Sequence, residues 1–219
     1  MDPGPEAAVL VIGMGRFGAA IATALDASST EVLAVEKDPA LIQTWSGRLA
    51  IVEADTTQPE ALEQLGAREF PIAVVGIGSS IEASVLTTVN LVDLGTPMIW
   101  AKAVSAEHGR ILNRIGAHNV VYPEHDAGTR VAHLVSGRML DFIEMEDDFT
   151  IVKMRAPRRI QGATVGESQI RRKYGVTVLG MKRPGQPFVY ATVDTRIEAG
   201  DMLILSGDTS HLDEFARRA

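Results

Sequence analysis

The chain has 219 residues, 46% hydrophobic, 22% charged and 5% aromatic, the composition of a folded soluble protein, which excludes the disordered, collagenous and disulfide-stapled classes. None is cysteine, which removes disulfides, thiolate zinc sites and cysteine nucleophiles and fits a reducing compartment. The net charge of −7 is split unevenly, 9 Lys and Arg against 16 Asp and Glu over residues 1–140 but 12 of each over 141–219, and it argues against a general nucleic-acid binder.

The longest apolar runs, Ala7 to Met14 and Ile72 to Ile77, are far shorter than the ~20 residues that cross a bilayer. Met1-Asp2-Pro3 lacks the basic start of a signal peptide, so this reading places the protein inside the cell. From Val9 to Tyr122, short β-rich runs alternate with helical stretches. The runs are Val9–Ile12, Val32–Val35, Ala50–Val52, Ile72–Val75, Met98–Ala101 and Asn119–Tyr122. Apolar on both faces and separated by helix and turn, they predict an α/β domain, a doubly wound parallel sheet of six strands. Asp38-Pro39, Gln58-Pro59 and Ser105 read as helix starts, and Gly66, Gly95 and Gly116 as helix ends.

After Pro123 a helix is expected from about Asp126 to Phe142, with Val131, Leu134, Val135 and Met139 at helical spacing, and this face suits burial between subunits. The acidic run Glu144–Asp148 then marks the boundary between an N-lobe over 7–143 and a C-lobe over 147–219. In the second part, Phe149–Met154, Thr177–Lys182, Phe188–Thr192 and Met202–Ser206 read as short strands, with helices near Glu167–Tyr174 and Ser210–Arg217. Such an α+β lobe of ~70 residues sits near the lower limit of independent stability and is expected to lean on a partner.

The chemistry lies in the loop that runs from Gly13 through Met14, Gly15, Arg16 and Phe17 to Gly18. It follows the first strand and opens a helix over Phe17–Leu25, the context in which a GxGxxG pattern binds a dinucleotide in a Rossmann-like fold. Gly13 permits the tight turn, Gly15 lets backbone approach a phosphate, and Gly18 lets helix and strand pack closely. The helix N-terminus then offers free N–H groups to the anion. Glu36 ends the second strand 18 residues after Gly18, with Lys37 beside it, and its carboxylate suits ribose hydroxyls while repelling a 2′-phosphate.

Further polar residues stand at strand ends, where ligands of open α/β sheets bind. Asp55, followed by Thr56, is either an acceptor for an adenine amino group or a cap for the helix over Gln58–Leu65. Gly76-Ile-Gly78-Ser79-Ser80 presents backbone amides or merely starts a helix, while Lys102 and Glu124 follow the fifth and sixth strands. The five histidines form no metal-ligating or catalytic pair, no serine sits in a GxSxG elbow, and His108 reads as a surface residue. The nucleotide is therefore expected to be sensed rather than consumed. A small NAD-dependent oxidoreductase and an NAD(H) redox sensor remain as alternatives, because Gly13, Gly15, Gly18 and Glu36 serve ADP, ATP and NAD(H) alike.

Seven stretches together resemble the RCK or KTN regulatory domains of potassium channels and transporters. They are Val11–Gly18, Ile77–Thr88, Ile99–Ala103, Ile115–Ala117 with Tyr122–Gly128, and Lys173–Gly175 with Ala199–Asp201. The single N-lobe and single C-lobe look like the cytosolic subunit of Ktr-type uptake systems. The resemblance implies a ring of eight subunits, built from dimers, docked on the inner face of an integral-membrane potassium-translocating partner, with ATP or ADP setting the ring's shape. It implies that Arg16 senses the terminal phosphate, a contact a guanidinium makes well, and that Glu124 helps hold a cation near the phosphates. It also implies a second ligand, cyclic di-AMP, at a stretch that includes Ile170, Arg171 and Arg172. Thr177 stands where such relatives have an asparagine, and the proline of their later strand loop has no clear counterpart near Thr192-Val193.

Overall fold

In the computed structural model, which describes residues 8–135, 140–145 and 148–217, every apolar run of the first part is a strand. These are β1 (Val9–Ile12), β2 (Val32–Glu36), β3 (Ala50–Glu53), β4 (Ile72–Val75), β5 (Met98–Lys102) and β6 (Asn119–Val121). Between them run α1 (Arg16–Ala27), α2 (Pro39–Trp45), α3 (Pro59–Gln64), α4 (Ile81–Asp93) and α5 (Ala106–Arg114), and α6 (Pro123–Val135) follows β6. The sheet is parallel throughout in the order β3-β2-β1-β4-β5-β6. The order reverses between β1 and β4, so a crevice opens at their C-terminal ends.

β1 shows why a central strand is apolar at every position. Leu10 and Ile12 pack with Leu91 of α4 and Leu112 of α5, whereas Val9 and Val11 pack with Ala19 and Ala22 of α1. The edge departs from this rule: Val52 of β3 is 37% exposed, because a neighbour covers only one side of that strand. The start and stop signals act through hydrogen bonds and φ. Asp38 accepts from the Ala40 N–H at 2.9 Å, and Ser105 accepts from the His108 N–H at 3.2 Å. Gly66, Gly95 and Gly116 hold φ of 65°, 78° and 105°, the left-handed region that ends helices.

The second part contains β7 (Asp141–Glu144), β8 (Phe149–Arg155), α7 (Val165–Ser168), α8 (Ile170–Tyr174), β9 (Thr177–Lys182), β10 (Phe188–Tyr190), β11 (Met202–Asp208) and α9 (Thr209–Arg217). They make an antiparallel sheet in the order β10-β9-β11-β8-β7. β8 alternates, burying Thr150, Val152 and Met154. Val152 and Met154 join Val178, Leu203, Leu205 and Phe215 in a single core. Asp201, fully buried just before β11, receives two hydrogen bonds from Arg183 at 3.0 and 3.2 Å and one from the Glu198 N–H at 2.8 Å.

The helix expected over 126–142 runs instead over Pro123–Val135, and residues 141–144 are a strand. Asp141 and Ile143 align with Lys153 and Ile151 of β8, so strand pairing overrides helical periodicity there. Of the acidic run expected to mark the boundary, Glu144 ends β7, and the Met145 N–H bonds the Phe149 carbonyl at 2.7 Å. The two compact units divide earlier, between His125 and Asp126. On α6, Val131 and Val135 are 54% and 80% exposed, while Met139 and the Leu134 side chain lie outside the described residues. Among the described residues no helix is long and apolar enough to cross a membrane.

Candidate functional site

The turn after β1 is built by its glycines. Gly13 holds φ of 88°, with its N–H on the Val35 carbonyl at 2.8 Å. A Cβ on Gly18 would stand 1.9 Å from the Gly13 carbonyl oxygen, so α1 can approach β1 this closely only with glycine there. Gly15 differs: a Cβ on it would meet nothing within 4 Å, because it faces an open cleft. Gly15 is also the N-cap of α1, which has no acidic residue in its first turn, so nothing in the helix's own first turn opposes its positive end at the opening.

The cleft encloses about 720 Å³. Of the fourteen candidate residues named from the sequence, all line it except Met14 and Gly18, which are buried in its support. Glu36 enters from β2. Its Oε2 accepts the Met14 N–H at 2.7 Å, and its Oε1 accepts the Lys37 and Asp38 N–H groups at 2.8 and 3.0 Å. The carboxylate thus ties the glycine loop to the β2 end. Three of its roughly four lone-pair positions are occupied, which leaves one on Oε2 for a further donor.

Asp55 closes an Asx-turn, accepting from the Thr57 N–H at 3.1 Å and the Thr57 hydroxyl at 2.8 Å. Those two bonds, and more weakly the charge of Lys37, hold its carboxyl below the usual range. It does not cap α3, whose N-cap Gln58 makes no side-chain cap bond. On the opposite wall the Lys102 ammonium lies 2.6 Å from Glu124 Oε1, 5.7 Å from the centre of the Phe17 ring and close beneath Gly78. The hydrogen bond from Lys102 lowers the Glu124 carboxyl first, with the charges of Lys102 and Arg16 adding to it. Glu124 sits in the first turn of α6, and among the described residues no three His, Asp or Glu side chains converge on it or anywhere else.

Some lining residues carried no sequence signal of their own, notably Thr57, Leu41 and Val104. Val104 could have been found by the rule that picked Lys102, since Lys102 ends β5 and Val104 follows two residues later. His108, read as a surface residue, is 1% exposed. Its Nδ1 accepts the Val104 N–H at 3.3 Å, and burial pushes its pKa down. In the second unit Arg171 and Arg172 are exposed on α8, but Ile170 is 2% exposed and packs in the core, so its side chain is not offered to a ligand.

A TrkA-N domain model matches residues 9–123 and a TrkA-C domain model matches residues 149–219. The Ktr system potassium uptake protein C of Bacillus subtilis (strain 168) is 35% identical over 210 residues, which cover 95% of each chain. Among solved structures, the GsuK RCK domain superposes with a TM-score of 0.65 at 18% identity, over 99% of this chain and 48% of that one. The GsuK channel bound to NAD does so with a TM-score of 0.56 at 19% identity, over the whole of this chain and 40% of that one. The chain thus spans about half the length, or less, of these two solved proteins, and they bear on its fold.

Proposed function

The chain belongs to the family that joins a TrkA-N domain to a TrkA-C domain, and from that premise we propose that it is the nucleotide-sensing regulatory subunit of a potassium uptake system. One observation carries the reading: in a chain alike from end to end to a potassium uptake protein, the open N-terminus of α1 and the Glu36 carboxylate share a single cleft. The cleft volume suits a nucleotide of the ADP class. In this reading Gly15 and the first turn of α1 hold the diphosphate, Glu36 receives a ribose hydroxyl, and Asp55 receives the adenine amino group. Arg16, at the start of α1 and on the cleft wall, meets the terminal phosphate of ATP.

Regulation follows from differential binding. ATP and ADP must favour two conformations unequally, since a ligand without that difference moves no equilibrium. Lys102 is the residue placed to report the difference, because it is held by Glu124 and stands beside the same wall as Arg16. No bond-making step is assigned to the site. We further propose that the protein works in the cytoplasm as a ring of eight subunits built from dimers and docked on an integral-membrane translocating partner. The exposed Val131 and Val135 of α6 support this as a surface that needs covering.

A second reading, an NAD(H) sensor of the same fold, is favoured by the NAD bound in the GsuK channel. Calorimetric titration of the purified protein with ATP, ADP and NADH decides between them, together with light scattering. Tight ATP and ADP binding on an octamer is the expected result. NADH binding alone would replace the nucleotide assignment, and a monodisperse monomer with nucleotide present would remove the ring.

A further inference from the structure

The interior face of α4 is unexpectedly polar for a helix packed on a parallel sheet: Ser84, Thr87 and Thr88 are fully buried and Asn90 is 9% exposed. Burying hydroxyl and amide groups is unfavourable unless they are paired, so apolar residues would stabilise this face more. Two of the four reach out of their own helix to one target. The Thr87 hydroxyl lies 2.8 Å from the Thr56 hydroxyl, and the Asn90 Nδ2 donates to the carbonyl oxygens of Thr56 and Thr57, both at 3.1 Å. Thr88 stays within the helix, its hydroxyl donating to the Ser84 carbonyl at 2.8 Å.

Their shared target is the segment that carries Asp55. Its exposed carboxylate is aimed by the Asx-turn with Thr57, and that turn is only as fixed as the Thr56 and Thr57 backbone. At the end of the edge strand β3 the Ala54 N–H bonds the Glu36 carbonyl at 3.0 Å, and beyond it the buried Thr56 and its neighbour Thr57 are held from inside by Thr87 and Asn90. We propose that Thr87 and Asn90 are positioning residues for base recognition, holding the Asp55–Thr57 turn so that the Asp55 carboxylate meets an exocyclic amino group. The inference rests on the reading above that an adenine nucleotide occupies this cleft. It adds that the choice of adenine over guanine, whose corresponding atom is a carbonyl oxygen that a carboxylate repels, depends on two α4 side chains that do not line the cleft.

The test measures ADP and GDP affinity by calorimetry for the full chain and four variants. Thr87→Val is isosteric and loses only the hydroxyl, Thr87→Ser retains it, Asn90→Ala removes both carbonyl contacts, and Thr88→Val removes a buried hydroxyl that does not touch the loop. Circular dichroism confirms that each is folded. The ADP-over-GDP preference is expected to shrink about five- to tenfold in Thr87→Val and Asn90→Ala, the scale of one or two lost hydrogen bonds. The loss should fall on ADP, while Thr87→Ser and Thr88→Val keep the preference. Equal losses for ADP and GDP would mean a merely structural role and would overturn the proposal, as would a full preference in Thr87→Val. If the unaltered protein itself fails to distinguish ADP from GDP, the base-reading role of Asp55 falls as well. That outcome is separable from failure of the proposal alone.

Discussion

Glu36 offers the most discriminating perturbation, because the structure gives it two tasks that different substitutions separate. In Glu36→Ala the Lys37 and Asp38 amides, which are exposed, exchange the carboxylate for water at little cost. The Met14 N–H, on a residue 1% exposed, has no such replacement. An orphaned buried donor costs about 1–3 kcal/mol, which at about 2–4 °C per kcal/mol is a fall of several degrees in Tm without ligand. Glu36→Gln keeps an oxygen for Met14 and turns its amide toward the exposed N–H groups, so Tm should stay near that of the unaltered protein. The oxygen that holds Met14 still accepts the ribose hydroxyl but without charge, and the difference between a charged and a neutral acceptor, about 1–1.4 kcal/mol, lowers affinity about five- to tenfold. Thermal unfolding without ligand and calorimetry with ADP read the two effects separately. An unchanged Tm in Glu36→Ala would refute the clasp on the glycine loop, and full ADP affinity in Glu36→Gln would refute the ribose contact.

The glycines divide in the same way. Gly15→Ala should fold normally, since its methyl meets open space, and should weaken nucleotide binding about tenfold or more by occupying the phosphate approach. Gly18→Ala should lose soluble protein, its methyl colliding with the Gly13 carbonyl; a well-folded Gly18→Ala would show that α1 can retreat from β1. Arg16→Ala should erase most of the preference for ATP over ADP while ADP affinity stays nearly as it was, and equal losses in titration would sink the terminal-phosphate role. In the second unit, Asp201→Asn replaces a buried acceptor with a group that faces the Arg183 donors. The Arg183 side chain is 35% exposed and rehydrates, so the cost falls on the buried Asp201 position, where a mispaired polar group costs about 1–3 kcal/mol. Hydrogen bonding from Arg183 holds the Asp201 carboxyl below its usual range. Its stabilisation is therefore complete above the unfolded value of about 3.9 and is lost as pH falls through the folded value. Acid unfolding followed by circular dichroism should show a stability that depends less on pH below about pH 4 in Asp201→Asn than in the unaltered protein, and an equal dependence would refute the role of the pair.

The parts legible in the sequence are those that local pattern alone decides. A strand buried on both faces, such as Val9–Ile12, must be apolar at every position. A turn against which a helix packs must carry glycine at 13 and 18, whatever surrounds it. The carboxylate at the end of β2 is placed by counting, so the position of Glu36 on the cleft follows from the sequence alone. What the tertiary structure alone decided depends on which distant segments become neighbours. Residues 141–144 look like the end of a helix until β8 offers a partner. His108 looks like a surface residue until the β5 connection lies over it. Glu124 looks like an uncommitted carboxylate until the fold brings Lys102 to 2.6 Å. The clasp from Glu36 to Met14 and the bonds from Asn90 to Thr56 and Thr57 span 22 to 34 residues of chain. Periodicity cannot encode such pairs, because it records which face of an element is apolar. The strand order β3-β2-β1-β4 brings the ends of those elements together, and there side-chain polarity acquires its partner.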